Sequence, residues 1–201
     1  MNRTEYQAII YAGSEDRNRE YKESFPWQDT HGKTKAKVVK GILAMSNLRD
    51  GGHIIIGVKE ESGPSSRYTP LGVREDHLAT FSDEAMADFV RNYADPYATF
   101  NLDVVFLNGM NFVVIAVRGF EESPVICKKD YGNILSNGRV YVRSRSGRPR
   151  SEPVTHYPDM RELLDLAVER GVRRFLERQA RVGAIGPTDS EQFEQQLVDF
   201  S

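Results

Sequence analysis

The chain has 201 residues, of which 39% are hydrophobic and 28% are charged, and these proportions are typical of a globular protein with one domain. It contains no apolar run long enough to span a bilayer, no signal-peptide pattern at its start and a single cysteine, Cys127. These features disfavour a membrane protein and a disulfide-stapled secreted scaffold, and they favour a cytoplasmic location without a membrane partner.

The formal net charge of −2 averages over an uneven distribution. Residues 30–40 contain four lysines and residues 139–150 contain five arginines, in each case without an acid, whereas residues 182–201 contain four acids and no Lys or Arg. Basic segments of this kind attract the phosphate backbone of nucleic acid. We therefore expect an N-terminal extension over residues 1–13, a nucleic-acid-handling domain over residues 14–181, and an acidic tail after it.

The first predicted helix covers residues 33–47, because apolar side chains recur on one of its faces. The opposite face carries three lysines: Lys33, Lys37 and Lys40. Asp50-Gly51-Gly52 then predicts a tight reversal, and the apolar run of residues 53–58 predicts a strand that is buried on both faces.

A second helix is predicted to begin after a cap at Ser82 and to end before Asp95-Pro96. A hairpin follows, because two β-branched and aromatic runs, residues 102–107 and 112–117, flank the turn signal Asn108-Gly109. The last predicted elements are two strands and a long helix with a candidate break at Gly171: residues 124–128, 139–143 and 159–181. This order predicts an α+β fold: a single domain with a mixed or antiparallel sheet flanked by helices, followed by a C-terminal helix and an acidic tail.

The first candidate site is Glu20 with Lys22. If residues 19–24 are extended, the period of two places both side chains on one face of the strand. Joined by Asp50 from a nearby turn, they would suit a magnesium-type nuclease, since acids hold a hard cation through oxygen and a lysine stabilises developing phosphate charge. Glu15 would join them if a turn brings it close. The alternative is an ordinary ion pair on an exposed strand, with Asp50 serving only the turn.

The second candidate is the arginine-rich segment around Tyr141. Its arginines, together with the helix lysines, are predicted to contact nucleic-acid phosphates: Arg139, Arg143, Arg145, Arg148 and Arg150. The alternative is a solvated strand end whose arginines pair with surface acids: Glu121, Glu122 or Glu152.

Two classes of cofactor are not expected. Gly32-Lys33-Thr34 resembles the end of a phosphate-binding P-loop, but Trp27 stands where that loop needs a glycine. The four histidines and Cys127 lack the spacing of zinc ligands. We therefore expect neither a nucleotide cofactor nor zinc.

Three segments occur in an order that resembles the AlbA-like domain of Schlafen proteins. They are residues 19–24 (REYKES), 42–58 (ILAMSNLRDGGHIIIGV) and 140–147 (VYVRSRSG). The resemblance spans about residues 14–165 and implies the Schlafen AlbA-like α+β fold.

In nuclease-active Schlafen proteins, an acidic triad binds Mg²⁺ or Mn²⁺ and cleaves structured RNA such as tRNA. Carried over by position, the resemblance implies a metal site of Glu15, Glu20 and Asp50, with Lys22 beside it as a fourth catalytic residue. The chain departs from the family at Leu48-Arg49 before the glycines and lacks the family's zinc-finger cysteines. It also holds one copy of a domain that Schlafen cores contain twice, and a homodimer would restore the second copy.

Three functions are compatible with these features. The first is a divalent-metal-dependent endoribonuclease that acts on structured RNA. The second is a non-catalytic DNA-binding or transcription-regulator-like module that uses the same basic surface. The third is a defence or toxin component whose tail recruits a partner.

Overall fold

The computed structural model of the protein describes residues 1–61, 67–145 and 149–183, and its class is α+β as predicted. The helices are α1 (Arg3–Ile10), α2 (Gly32–Ser46), α3 (Glu75–Leu78), α4 (Asp83–Arg91) and α5 (Tyr157–Gly183). The strands are β1 (Arg19–Lys22), β2 (Gly52–Ile56), β3 (Val58–Glu61), β4 (Arg67–Pro70), β5 (Ala94–Asp95), β6 (Phe100–Leu107), β7 (Met110–Val117), β8 (Ile126–Cys127), β9 (Tyr141–Arg143) and β10 (Ser151–Pro153).

Four strands form the central sheet in the order β1-β2-β7-β6. β1 is parallel to β2, whereas β7 pairs antiparallel with both β2 and β6, so the sheet is mixed. The parallel pair requires a crossover, and α2 provides it by carrying the chain back across the sheet.

The sheet is covered on both faces at β2, as its apolar run predicts. Ile54 and Ile56 belong to the larger core, which α2 completes, while Ile55 belongs to a smaller core on the other face. All three isoleucines are fully buried. Tyr21 of β1 and Ile10 of α1 contribute to the smaller core.

The predicted hairpin is present, but its turn is shorter than the four residues between the predicted strands. β6 and β7 are joined by Asn108 and Gly109 alone, with φ values of 50° and 78°. Positive φ at both positions is typical of the two-residue turn whose twist matches that of the strands, and Asn-Gly tolerates it. Met110 therefore begins the second strand.

Asn47, at the end of α2, connects distant segments through a buried side chain. Its Nδ2 donates to the backbone oxygens of Val125 and Tyr141, both at 2.9 Å, and its Oδ1 accepts from Val125 N at 2.8 Å. β9 and β10 form a small hairpin that packs against α2. These contacts position β9 above the edge of the sheet that β1 forms.

The second and the last of the predicted helices are also present, as α4 and α5. Ser82 caps α4 by accepting from Ala85 N at 3.2 Å, as predicted. α5 runs without a break through Gly171. None of the helices in the described part of the chain is long and apolar enough to cross a membrane. The predicted acidic tail lies almost entirely outside the described residues.

Candidate phosphate-binding pocket

β1 presents Glu20 and Lys22 on the same face, as a strand must for residues two apart. Lys22 Nζ forms an ion pair with Glu20 Oε1. Glu20 is buried and Lys22 is partly exposed. The carboxylate comes close to α2 at Gly41, where a Cβ would lie 3.0 Å from Glu20 Oε2. A glycine at this position leaves the carboxylate room to sit between the helix and the sheet.

Arg143 holds the other side of this carboxylate. Its Nη1 lies 3.0 Å from Glu20 Oε2, and its Nη2 donates to the backbone oxygens of Asp16 at 2.9 Å and Arg19 at 3.2 Å. Ser151 Oγ donates to the same Glu20 oxygen at 3.2 Å. Arg143 is only 2% exposed, so its guanidinium serves this internal network and is not displayed to solvent as the predicted phosphate contact requires.

The protonation of Glu20 reflects these partners. Burial, the largest single influence, raises the pKa of its carboxyl group, but the charges and hydrogen bonds of its partners together lower this pKa below its ordinary value, the charges of Lys22 and Arg143 most of all. The Lys22 and Ser151 hydrogen bonds act in the same direction. Glu20 is therefore ionised at neutral pH, with cationic donors on both of its oxygens.

A tight turn brings Glu15 to the same place, as its spacing from Glu20 required. Asp16 and Arg19 bond each other's backbone across the turn, at 3.2 and 3.3 Å, and Glu15 Oε1 then accepts from Tyr21 N at 2.8 Å. Burial raises the pKa of Glu15, partly offset by the Tyr21 hydrogen bond and by the charge of Lys22.

These groups line an open pocket of about 310 Å³. Its charged lining residues are five cations and three acids: Lys22, Lys37, Lys40, Arg143, Arg150, Glu15, Glu20 and Glu60. Lys37 and Arg150 are exposed, whereas Lys40 is half-buried, with its Nζ 5.4 Å from the centre of the Tyr141 ring. Burial lowers the pKa of Lys40, although Glu152 and Glu20 oppose the shift.

Glu60 is a lining residue that the sequence patterns did not select. β3 begins just after β2, and the register places Lys22 opposite Ile56 at the end of β2. Acids that follow a buried strand therefore emerge beside the end of its parallel neighbour. The pair Glu60-Glu61, which closely follows the isoleucine run, was the sequence signal that could have indicated an acid at this pocket.

Asp50 does not line this pocket. It is exposed and precedes β2, whereas Glu20 pairs with Ile54 in the middle of that strand. Arg170 of α5 donates to the backbone oxygen of the neighbouring Arg49 at 2.7 Å, so the turn that carries Asp50 lies beside α5. The described residues contain no group of three His, Cys, Asp or Glu that could hold a metal ion, so the expected convergence of Glu15, Glu20 and Asp50 is not present in this arrangement.

The remaining predicted phosphate contacts lie elsewhere. Lys33 and Arg139 are exposed and do not line the pocket. Arg145 Nη2 forms a 2.7 Å ion pair with Glu162 of α5. This matches the alternative in which the arginines of the strand end pair with acids, although Glu162 was not among the acids expected. Arg148 lies outside the described residues.

Comparisons with known proteins agree with this architecture. The model of the family described as Schlafen, AlbA_2 matches residues 15–150. Seven chains of solved structures match, among them the DIP2311 protein of Corynebacterium diphtheriae, with 14% identity and a TM-score of 0.50, over 79% of this chain and 27% of that one. This likeness shows the fold alone, and the aligned region spans about a quarter of that neighbour.

A second match is the N-terminal domain of a Nitrosomonas europaea protein described as related to the ATP-dependent DNA helicase RecG. It has 18% identity and a TM-score of 0.47, over 77% of this chain and 97% of that domain. No curated protein matches this chain significantly.

Proposed function

Because this chain belongs to the Schlafen, AlbA_2 family over residues 15–150, we propose that it binds the phosphate backbone of nucleic acid in the pocket beside β1. Family membership indicates a nucleic-acid-related function. The observation that carries the finer proposal is the excess of cations in the pocket lining, five against three acids.

The pocket divides its cations between two tasks. Arg143 and Lys22 hold Glu20 and fix the inner wall. Lys37 and Arg150 are exposed at the rim, where an ammonium and a forked guanidinium can reach phosphate oxygens. Burial raises the pKa of Glu15. Its carboxylate therefore takes up a proton more readily than an ordinary glutamate does when an anion approaches.

RNA, in particular structured RNA such as tRNA, is the nucleic acid that we propose as the ligand. This choice rests on the resemblance of the three ordered segments to nuclease-active Schlafen proteins. We place the protein in the cytoplasm, and the unpaired Cys127 is compatible with that reducing compartment.

Cleavage of the bound RNA is the second candidate, and one observation favours it: Glu15, Glu20 and Glu60 line the same pocket. The donor set does not fit Mg²⁺ or Mn²⁺ as arranged. Both oxygens of Glu20 already accept from cationic groups, and no three acids of the described residues cluster closely enough for a metal. Binding without cleavage, the non-catalytic alternative, is therefore the function that the geometry supports better.

The test is fluorescence anisotropy of the intact protein with labelled tRNA, hairpin RNA and DNA duplex at several salt concentrations. Lys37→Ala is expected to weaken binding several-fold and to reduce the slope of log affinity against log salt by about one. Lys33→Ala is the matched control, because it removes an exposed lysine of the same helix outside the pocket, and its affinity should stay near that of the wild type. Equal losses in both variants, or no binding to any probe, would contradict the proposal.

The same samples separate binding from cleavage. With Mn²⁺ or with EDTA, we expect the RNA to remain intact. Cleavage that requires Mn²⁺ and disappears in Glu15→Gln would instead establish the second candidate. Tighter binding of the DNA duplex than of either RNA would assign the ligand to DNA.

A further inference from the structure

α5 carries a row of large apolar side chains that face solvent. Seven of them are between 41% and 74% exposed: Tyr157, Met160, Leu164, Val168, Val172, Phe175 and Leu176. Large side chains are normally exposed singly, so a contiguous row of this size indicates an interaction surface. We call these seven residues the α5 stripe.

The spacing of the stripe shows that it is one helix face. Successive members lie mostly three or four residues apart, which keeps them on the same side of a helix with 3.6 residues per turn. The residues that attach α5 to the domain, Leu163 and Leu166, are buried and fall on the opposite side. The stripe therefore points away from the body of the protein.

The C-terminal half of α5 is also largely exposed. From Gly171 to Arg181 only Arg174 is partly buried. Isolated helices of this length are marginal in water, because helix stability in proteins comes mainly from packing of an apolar face. A helix that exposes Phe175 and Leu176 near its end needs a cover for them.

The charges of α5 are distributed asymmetrically along its length. Apart from the buried Asp159, residues 157–169 contain three acids and one arginine, whereas residues 170–183 contain five arginines and one glutamate. Two such helices repel each other in parallel orientation, since like halves meet. In antiparallel orientation each acidic half lies beside the basic half of the other helix.

We propose that a second copy of this chain covers the stripe, with the two α5 helices packed antiparallel about a two-fold axis near Val168. This occupant satisfies both observations at once, because the stripe runs along one side of α5 from Tyr157 to Leu176 and the charges of the two helix halves complement each other when one helix is reversed. A two-fold interface requires such self-complementarity. A register centred on Val168 places Met160 opposite Leu176 and Leu164 opposite Val172.

The size of the stripe suits this assignment. A large aromatic side chain buries roughly 150–250 Å² when it is fully covered, so seven large side chains at these exposures offer several hundred Å² per copy. A standard interface buries about 800 Å² per partner, and the polar flanks of two paired helices supply the remainder.

The test is sedimentation of the full chain over a concentration series that spans the micromolar range. We expect a dimer for the wild type, and at least a tenfold weaker association for Val168→Glu. Val104→Glu is the matched control: it makes the same change at a comparably exposed valine of β6, and its dimer should be as stable as that of the wild type. Circular dichroism melting checks that both variants remain folded.

Cross-linking tests the orientation. The cysteine introduced by Val168→Cys lies beside its own copy across the axis and should form a disulfide-linked dimer on mild oxidation, while Val104→Cys should not, and the native Cys127 is buried. A monomeric wild type at all concentrations would overturn the proposal and assign the cover to the chain's own residues 184–201 or to another protein. A dimer that Val104→Glu dissociates and Val168→Glu leaves intact would overturn it as well.

Discussion

Arg143 Nη1 lies 3.0 Å from Glu20 Oε2 inside the protein, although 123 residues separate the two in sequence. The exposed fractions of the two side chains are 2% and 9%. Removing one partner of a buried ion pair leaves the other charge without compensation. The pair therefore fixes the docking of β9 on β1, and through it the shape of the pocket.

Arg143→Ala should accordingly lower the free energy of unfolding by about 3–5 kcal/mol, the range for breaking a buried pair from one side. Arg145→Ala is the control, because it removes a half-exposed arginine two residues away whose pair with Glu162 is worth about 0–1 kcal/mol. Urea unfolding followed by circular dichroism measures both values. Similar small losses in the two variants would mean that Glu20 finds other compensation.

The lowered pKa of Glu20 predicts an acid-sensitive contribution to stability. A carboxyl whose pKa is lower in the folded protein stabilises the fold above its unfolded pKa, near 4.5, and this contribution is lost as the pH falls through the folded value. The free energy of unfolding should therefore fall more steeply below about pH 4.5 in the wild type than in Glu20→Gln. Parallel stability curves from pH 3 to pH 7 would contradict this assignment.

Glu15→Gln separates a binding role from a catalytic one. The substitution removes a negative charge from the pocket and keeps a side-chain oxygen that can accept from Tyr21 N. We expect RNA to bind a few-fold more tightly, because a unit charge a few ångströms from a phosphate contributes about 1 kcal/mol in water. Anisotropy at fixed salt measures the change, and weaker binding would show that the carboxylate takes part in recognition.

The wild-type protein should also be less stable than Glu15→Gln at neutral pH. A raised pKa in the folded state means that folding disfavours the charged form, and the cost is present above the folded pKa and disappears as the pH falls below the unfolded one. Urea unfolding at pH 7 and at pH 4 should give a difference between the two proteins that is larger at pH 7.

Asn47→Ala should destabilise the protein strongly, although the substitution removes only a small side chain. The substitution leaves the buried backbone groups of Val125 and Tyr141 without the partners that Asn47 provides, and each unsatisfied group costs about 1–3 kcal/mol. Asn92→Ala is the control, since Asn92 Nδ2 makes an exposed bond to Asp88 O. Thermal melts of the two variants should differ by several degrees, with Asn47→Ala the lower.

The features that sequence could predict depend on neighbours in the chain. Glu20 and Lys22 share a face because the period of a strand is two, and Asn108-Gly109 makes its turn with two positive φ angles whatever surrounds it. Leu164 and Val168 lie in the predicted last helix, but its sequence did not indicate that the structure leaves them exposed.

The features that sequence missed depend on partners far along the chain. An arginine is usually exposed. Nothing near Arg143 in the sequence indicates that its guanidinium pairs with Glu20 and donates to the backbone oxygens of Asp16 and Arg19. Asp50 was chosen for its turn, but the register of β1 on β2 decides which acids meet Glu20, and this register favours Glu60. No local pattern contains that register.

The pocket has a consequence for motion that follows from where its walls originate. One wall comes from residues between Glu15 and Glu60 and the other from Arg143 and residues 149–151, so a bound phosphate bridges two parts of the chain that separate whenever the β9–β10 hairpin opens locally. Ligand that binds only the closed form must slow amide hydrogen exchange in β9 and β10 in proportion to its occupancy. Strands β6 and β7 contribute no side chain to the pocket, so their exchange rates should not change with ligand. The exchange rates of the individual amides in β9 and β10 would thus measure how much of the pocket is occupied.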